Sequence, residues 1–224
     1  MEHRLHLYAL PYDPAYPLVC FDERPCFLIG EVLSPLPMEP GRPQRQLYAY
    51  QKNGSCSLFV AFEPATGRRW VQVYARRSGR EYTRFMQYLQ EQFPQAQRIR
   101  LVQDNLSTHS PASFYAHLPA AQAFALMERW EWNHTPPRAS WLNMVEIELS
   151  ALSRQCLQRR IGTQEALERE VRARVAERNR RQVTVRWQFA VHDARQKLAK
   201  RYLVLGLTQL PFSSLLGYPF LQNT

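Results

Sequence analysis

Residues 55–77, SCSLFVAFEPATGRRWVQVYARR, restrict the fold more than any other part of the chain. The run 55–64 is rich in Phe and Val and is entered from the turn pair Asn53-Gly54. The run 68–77 alternates Trp70, Gln72 and Tyr74 against Val71, Val73 and Ala75, the period of a half-buried strand. Ala65-Thr66-Gly67 joins the two, which predicts an antiparallel hairpin. A lone hairpin buries too little to be stable, so something must cover it. The next segment supplies that cover: REYTRFMQYLQEQF sets Tyr82, Phe85, Met86, Leu89 and Phe93 at helical spacing and stops at Pro94.

The remaining segments extend this pattern. YPLVCFDERP reads as a short strand that ends on Asp22 and is broken by Pro25. RIRLVQDN (98–105) is a strand, a helical stretch spans about 112–129, and WEWNHTPP (130–137) is a short strand closed by prolines. Ser140 can cap a helix whose residues Leu142, Val145, Leu149, Leu152 and Cys156 step by three and four. Thr163 can cap another helix, and a last one covers about 191–202. This order predicts an α/β chain with a mixed sheet. The four prolines and one glycine of 34–43 read as an irregular loop, and the apolar, uncharged stretch 203–224 leaves the pattern.

Net charge narrows the function. The formal +10 is uneven: residues 154–201 hold fourteen Lys plus Arg against five Asp plus Glu. All but two of the fourteen are arginine, whose planar fork grips phosphate. A solvated helical face needs no ligand to carry such charge, but this composition points to nucleic acid. There is no uninterrupted run of about 18 apolar residues, so no membrane span is expected. Cys20, Cys26, Cys56 and Cys156 show no CxxC spacing, which fits reduced cytoplasmic thiols better than zinc or a disulfide framework.

Three acids share one property. Asp22 and Asp104 close apolar strands, and an acid on the first turns of the helix after Ser140 follows a proline-closed strand. Ligands of open α/β sheets collect at strand ends. Carboxylates converging there repel unless a cation neutralises them. Mg²⁺ accepts a few carboxylates together with water and phosphate oxygens. Two such ions about 3.5–4 Å apart can activate a water and stabilise the leaving oxygen of a phosphodiester. Periodicity does not choose between Glu146 and Glu148, which flank the apolar stripe equally.

LVQDNLSTH followed by HTPPRASWLNMVEIELSALSRQCLQRRI resembles the catalytic half of a DDE transposase. The group is the bacterial insertion-sequence "six-thirty" transposases, related to mariner-like enzymes. VCFDERP, GEVLSPLP, GRPQRQLYAYQKNG and LFVAFEPATGRRWVQV resemble the same group in the same order, so the likeness runs from Leu7 to Tyr202. It implies a ribonuclease H-like fold, a mixed five-stranded sheet flanked by helices, with residues 1–202 as the catalytic domain and 203–224 as a divergent tail. It implies Asp22, Asp104 and Glu146 as catalytic, metal-binding acids, with Glu146 chosen because it follows Leu142-Asn143-Met144-Val145. The implied cofactor is a pair of Mg²⁺ ions, with Mn²⁺ able to substitute.

The implied partner is double-stranded DNA, at element ends and target, bound by a homodimer or higher assembly at a bacterial nucleoid. Asn105 and His109 match the Asp-Asn-x-x-x-His stretch and either orient Asp104, meet a phosphate or shape the loop. Arg154, Arg159 and Arg160 are expected backbone contacts. His134 and Trp141 are expected to pack. The sequence departs from the group at Gln103, where Leu is usual, and at Ala139, where Gly is common. A longer Asp104–Glu146 spacing, its extra residues falling in 111–131, is a third departure, and no helix-turn-helix segment precedes Met1. The last departure and the tail also suit a truncated, inactive remnant that binds DNA or a full-length transposase. A host nuclease of the ribonuclease H type is a third reading.

Overall fold

The computed structural model describes residues 1–33, 40–41 and 48–199. Most of the expected loop 34–43 and all of the expected tail 203–224 lie outside the described residues. The described residues divide into two compact units, one of Met1 with Pro11–Arg186 and one of Glu2–Leu10 with 187–199.

The larger unit is built on a five-stranded sheet ordered β3-β2-β1-β4-β5. Its strands are β1 (Leu18–Glu31), β2 (Tyr50–Glu63), β3 (Arg68–Tyr74), β4 (Ile99–Gln103) and β5 (Trp130–His134). β1–β2 and β2–β3 are antiparallel; β1–β4 and β4–β5 are parallel. This is the mixed sheet expected from the order of elements. The hairpin turns at Gly67, whose φ of +72° only glycine adopts freely.

Strand alternation sorts the side chains into two layers. Val19 and Phe21 of β1, with Phe59 and Ala61 of β2, face a core completed by Tyr82, Phe85, Met86 and Leu89 of α2 (Gly79–Glu91). Each of these fully buried large apolar side chains contributes about 1.5–3 kcal/mol. Ser78 caps α2 reciprocally with Glu81. The stretch expected to be one helix near 112–129 is two, α3 (Pro111–His117) and α4 (Ala120–Glu128), because Leu118 leaves helical geometry before Pro119. Phe114, Ala123 and Leu126 carry them into the same core.

The opposite face of the sheet, with Cys20, Leu58, Val60 and Phe62, is on the side of α5 (Val145–Gln155) and α6 (Gln164–Arg180). Thr163 caps α6 as expected, its Oγ1 accepting from Ala166 N at 3.1 Å. Ser140 does not cap α5. It opens a short 3-10 turn, Ser140–Leu142, and α5 starts three residues later with Met144 in the cap position. Ala139, before this turn, has a negative φ of −129°, so the position does not demand the left-handed freedom of glycine.

Two local expectations are corrected. β1 does not stop at Asp22; it passes through Pro25 to Glu31. Pro25 is tolerated because β4 pairs with β1 only over Leu18–Cys20, so β1 there has a neighbour on one side alone. Asn53-Gly54 is not a turn before the strand but lies within β2. The register there shifts opposite Leu28/Ile29, and Gly54 has φ +113°. Cys26 and Cys56 face each other across β1 and β2 as free thiols.

In the smaller unit, α1 (Glu2–Ala9), which the sequence reading did not foresee, meets α7 (Val191–Lys197). Arg195 holds both carboxylate oxygens of Glu2 at 2.8 Å, and Tyr8 packs on Trp187 with ring centroids 5.2 Å apart. No helix among the described residues is long and apolar enough to cross a membrane.

Candidate active site

The parallel pairing of β1 with β4 sets Leu18 beside Arg100 and Cys20 beside Val102. Continued by two residues, the same register brings Asp22 level with Asp104, which directly follows β4. Asp22 is therefore mid-strand, yet it stands at the sheet edge left where β4 ends. Its cross-strand partner is Val60. Its carboxyl is pushed up to about 7, chiefly by burial. The Glu23 N–H donated to Asp22 Oδ1 at 2.8 Å opposes this rise, while the charges of Asp104, Glu23 and Glu146 add to it.

Glu146 enters this field from α5, whose first turn carries it. Asn143, 2% exposed, fixes that turn: its Nδ2 donates to the Phe21 carbonyl at 2.9 Å and its Oδ1 accepts from Val145 N at 3.4 Å. The residue before Asp22 is thus tied directly to the start of the helix bearing Glu146. Glu148, one of the two candidates left open by periodicity, has a different task. It is 1% exposed and receives paired hydrogen bonds from Arg69 (2.5 and 2.8 Å) and Arg178 (2.9 and 2.9 Å). Arg69 itself lies over the Phe62 ring at 4.6 Å.

His109 stands on the other side of Asp104. It is 1% exposed, with Nδ1 2.8 Å from Asp104 Oδ1 and Nε2 2.8 Å from Glu23 Oε2. Its ring stacks on Tyr82 at 4.8 Å and meets Phe21 edge-on at 5.4 Å. Burial alone would lower its pKa, but the two carboxylates outweigh burial and raise it to about 9. Gln103 supports this loop from a fully buried position, accepting from the Tyr82 hydroxyl at 2.8 Å and donating to the His109 carbonyl at 2.7 Å. A leucine there would leave both groups without that partner. In the sequence Gln103 stands out only as a departure from leucine, and Glu23 does not stand out at all. The available signal for Glu23 was its place beside Asp22, where alternation turns it to the opposite face.

The remaining candidates are scattered. Asn105 is exposed, and His134 Nδ1 lies 3.2 Å from the Asp104 carbonyl oxygen. Arg154 is exposed; Arg159 is exposed and ion-paired with Glu170. Arg160 is turned into the protein, bonding Glu31 Oε2 at 2.6 Å and the carbonyls of Ala49 and Tyr48 at 3.1 and 3.2 Å. Trp141, expected to pack, is 46% exposed, because the 3-10 turn rather than the helix carries it.

Two aspartates and a glutamate are hard oxygen donors of the kind Mg²⁺ or Mn²⁺ takes, and the mutual repulsion felt by Asp22 is what a cation would relieve. By donor chemistry the residues fit such ions. They share an edge without closing on one point: among the described residues, no group of three or more His, Cys, Asp or Glu side chains is arranged to hold a metal ion.

The family model described as DDE superfamily endonuclease matches residues 17–168. No curated protein matches the chain. Among solved structures, the Mos1 mariner paired end complex with Mn is similar at 16% identity and a TM-score of 0.54, over 93% of this chain and 62% of that one. The Mos1 strand transfer complex gives 16% and 0.53, over 93% and 60%. The Mos1 transposase paired-end complex with left transposon end gives 15% and 0.50, over 87% and 56%. This chain thus spans about three-fifths of the length of those it matches. At such identities the likeness is one of fold, the ribonuclease H-like mixed sheet flanked by helices.

Proposed function

The chain belongs to the DDE superfamily endonucleases, and from that premise we propose that it is the catalytic part of a DNA transposase of the insertion-sequence "six-thirty" group. Its work is to cut phosphodiesters at element ends and join the freed ends to target DNA. What supports this reading is that Asp22 and Asp104 stand level across β1 and β4 and that the charges of Asp104 and Glu146 both reach Asp22.

In this reading Asp22 and Asp104 hold two Mg²⁺ ions, or Mn²⁺ in their place, with Glu146 completing the site. The ions, when bound, lower the pKa of a water and stabilise charge on the leaving oxygen. The chain's own residues do the positioning. Asn143 sets the distance between strand and helix acids, His109 holds one oxygen of Asp104, and Glu148 stays bound to two arginines, where it supports the fold. Arg154 and Arg159 meet the DNA backbone from exposed positions, while Arg160, already bonded, steadies the protein beneath it. Asn105, exposed beside Asp104, is within the stretch that approaches the phosphate. The partner is double-stranded DNA at a bacterial nucleoid, engaged by a homodimer or a larger assembly.

A second reading, a remnant that binds DNA without cutting it, draws on the acids' failure to close on one point. Nicking of supercoiled plasmid by the purified chain with Mg²⁺ or Mn²⁺ decides between them. The catalytic reading expects metal-dependent nicking that Asp104→Asn and Glu146→Gln both abolish. Equal DNA binding by all three proteins with no nicking by any favours the remnant, and nicking retained by Glu146→Gln removes Glu146 from the site.

A further inference from the structure

Consecutive residues of a strand point to opposite faces, so β1 cannot aim Asp22 and Glu23 at the same space. Asp22 lies on the face of Cys20 and Val60; Glu23 lies on the face of Phe21 and Phe59, within the core side of the sheet. A carboxylate is costly there: the Glu23 side chain is 1% exposed, and an unpaired buried charge loses several kcal/mol. Two cationic groups face it, one by a hydrogen bond to Oε1 and one at ion-pair distance from Oε2, which accepts no hydrogen bond among the described residues. Arg77 Nη1, half exposed, lies 3.3 Å from Oε1, and His109 Nε2 lies 2.8 Å from Oε2. The imidazole is confined between Tyr82 and Phe21, and its other nitrogen is 2.8 Å from Asp104 Oδ1. Asp104 Oδ2 accepts no hydrogen bond from the described residues, so one oxygen of this acid is held and the other is left for a ligand.

We infer that Glu23 is a positioning residue for the acid site: it orients His109, and through His109 it fixes the carboxylate of Asp104. One strand then serves both strand acids. It supplies Asp22 from one face, and from the other it braces Asp104, which emerges from the neighbouring strand. Gln103 closes the arrangement by holding the His109 carbonyl, so ring and backbone of the histidine are both fixed. The inference rests on the reading of Asp22, Asp104 and Glu146 as metal-binding acids. Outer partners of this kind matter to a metal site because they set the direction in which a liganding oxygen points.

The test is Mn²⁺ affinity of the chain, read from the electron paramagnetic resonance signal of the free ion, with thermal unfolding of each variant alongside. Glu23→Gln keeps the size of the side chain and is expected to bind Mn²⁺ about 10–100-fold more weakly, as is His109→Asn. Because Glu23 acts through His109, the double variant should bind no more weakly than the worse single one. Wild-type affinity in Glu23→Gln overturns the inference and leaves the acid site standing. Losses that add in the double variant also overturn it, since the two residues would then act separately. A wild-type chain that takes up no Mn²⁺ removes the acid site and the inference together. If Glu23→Gln does not fold, the wild-type chain labelled with ¹⁵N-histidine answers instead. Its one buried histidine signal should move on addition of Mg²⁺, and a signal that stays put overturns the inference.

Discussion

Two glutamates two residues apart, Glu146 and Glu148, show how differently one helix can use the same side chain. Breaking a buried pair by removing one charge costs about 3–5 kcal/mol, so Glu148→Gln should lower the unfolding free energy by about that amount in a denaturant titration. Glu146→Gln, which breaks no such pair among the described residues, should leave stability within about 0.5 kcal/mol of wild type and remove metal-dependent nicking. Acidity separates them too. Burial would raise the pKa of Glu148, but hydrogen bonds from Arg69 and then Arg178 outweigh it and hold the group below its ordinary 4.5. A depressed folded value gives stability that is fully present above 4.5 and lost as pH falls through that folded value. Wild-type stability should therefore decline below pH 4.5 with a component that Glu148→Gln lacks, measured by unfolding at stepped pH. The choice between the two was not legible in spacing, because both flank the apolar stripe alike. It depends on Arg69 and Arg178, which lie far from α5 in sequence and close to it only after folding. Gln103 was hidden in part for the same reason: Tyr82 lies on α2 and meets it only when that helix packs on the sheet.

At the scale of elements, the hairpin, α2, β4, β5 and α6 could be read from periodicity and punctuation, because each satisfies its own local chemistry. The misread places are those where tertiary pairing overrides a local signal. Pro25 reads as a strand breaker until β1 is known to have one free side there, and Asn53-Gly54 reads as a turn until β2 is seen to continue through it. Ser140 has the right chemistry for a cap, but Asn143 and its bond to Phe21 delay the helix to Val145. That bond joins helix to strand in the buried interior. Asn143→Ala should cost about 1–3 kcal/mol in chemical denaturation and should slow nicking, since the carbonyl of Phe21 loses this donor beside Asp22.

For the whole molecule, the cationic excess is carried by arginines that do not share one task. Arg154 and Arg159 are exposed, Arg159 pairing with Glu170 at the surface, whereas Arg69, Arg160 and Arg178 are held inside by carboxylates of the protein itself. Sequence counts the charge but not this division, which depends on which acids fold up beside which arginines. Salt titration of DNA binding should separate the two kinds. The slope of log affinity against log salt should flatten by about 1 for each of Arg154→Ala and Arg159→Ala. Arg160→Ala should leave that slope unchanged and appear in the thermal melt, because its guanidinium bonds Glu31 and two carbonyls. A slope indifferent to all three would place the DNA on another surface.

The register shift between Leu28 and Ile29 lies beyond both acids of β1 and divides that strand in two. Before the shift, chain length is fixed: one residue gained ahead of Phe21 would turn Asp22 to the His109 side and Glu23 to the α5 side, exchanging ligand and brace. Beyond it, a bulge can take up an added or missing residue without passing the change back along the strand. A change of one residue in β1 is therefore expected to spare the two acids when it falls beyond Leu28 and to exchange them when it falls ahead of Phe21.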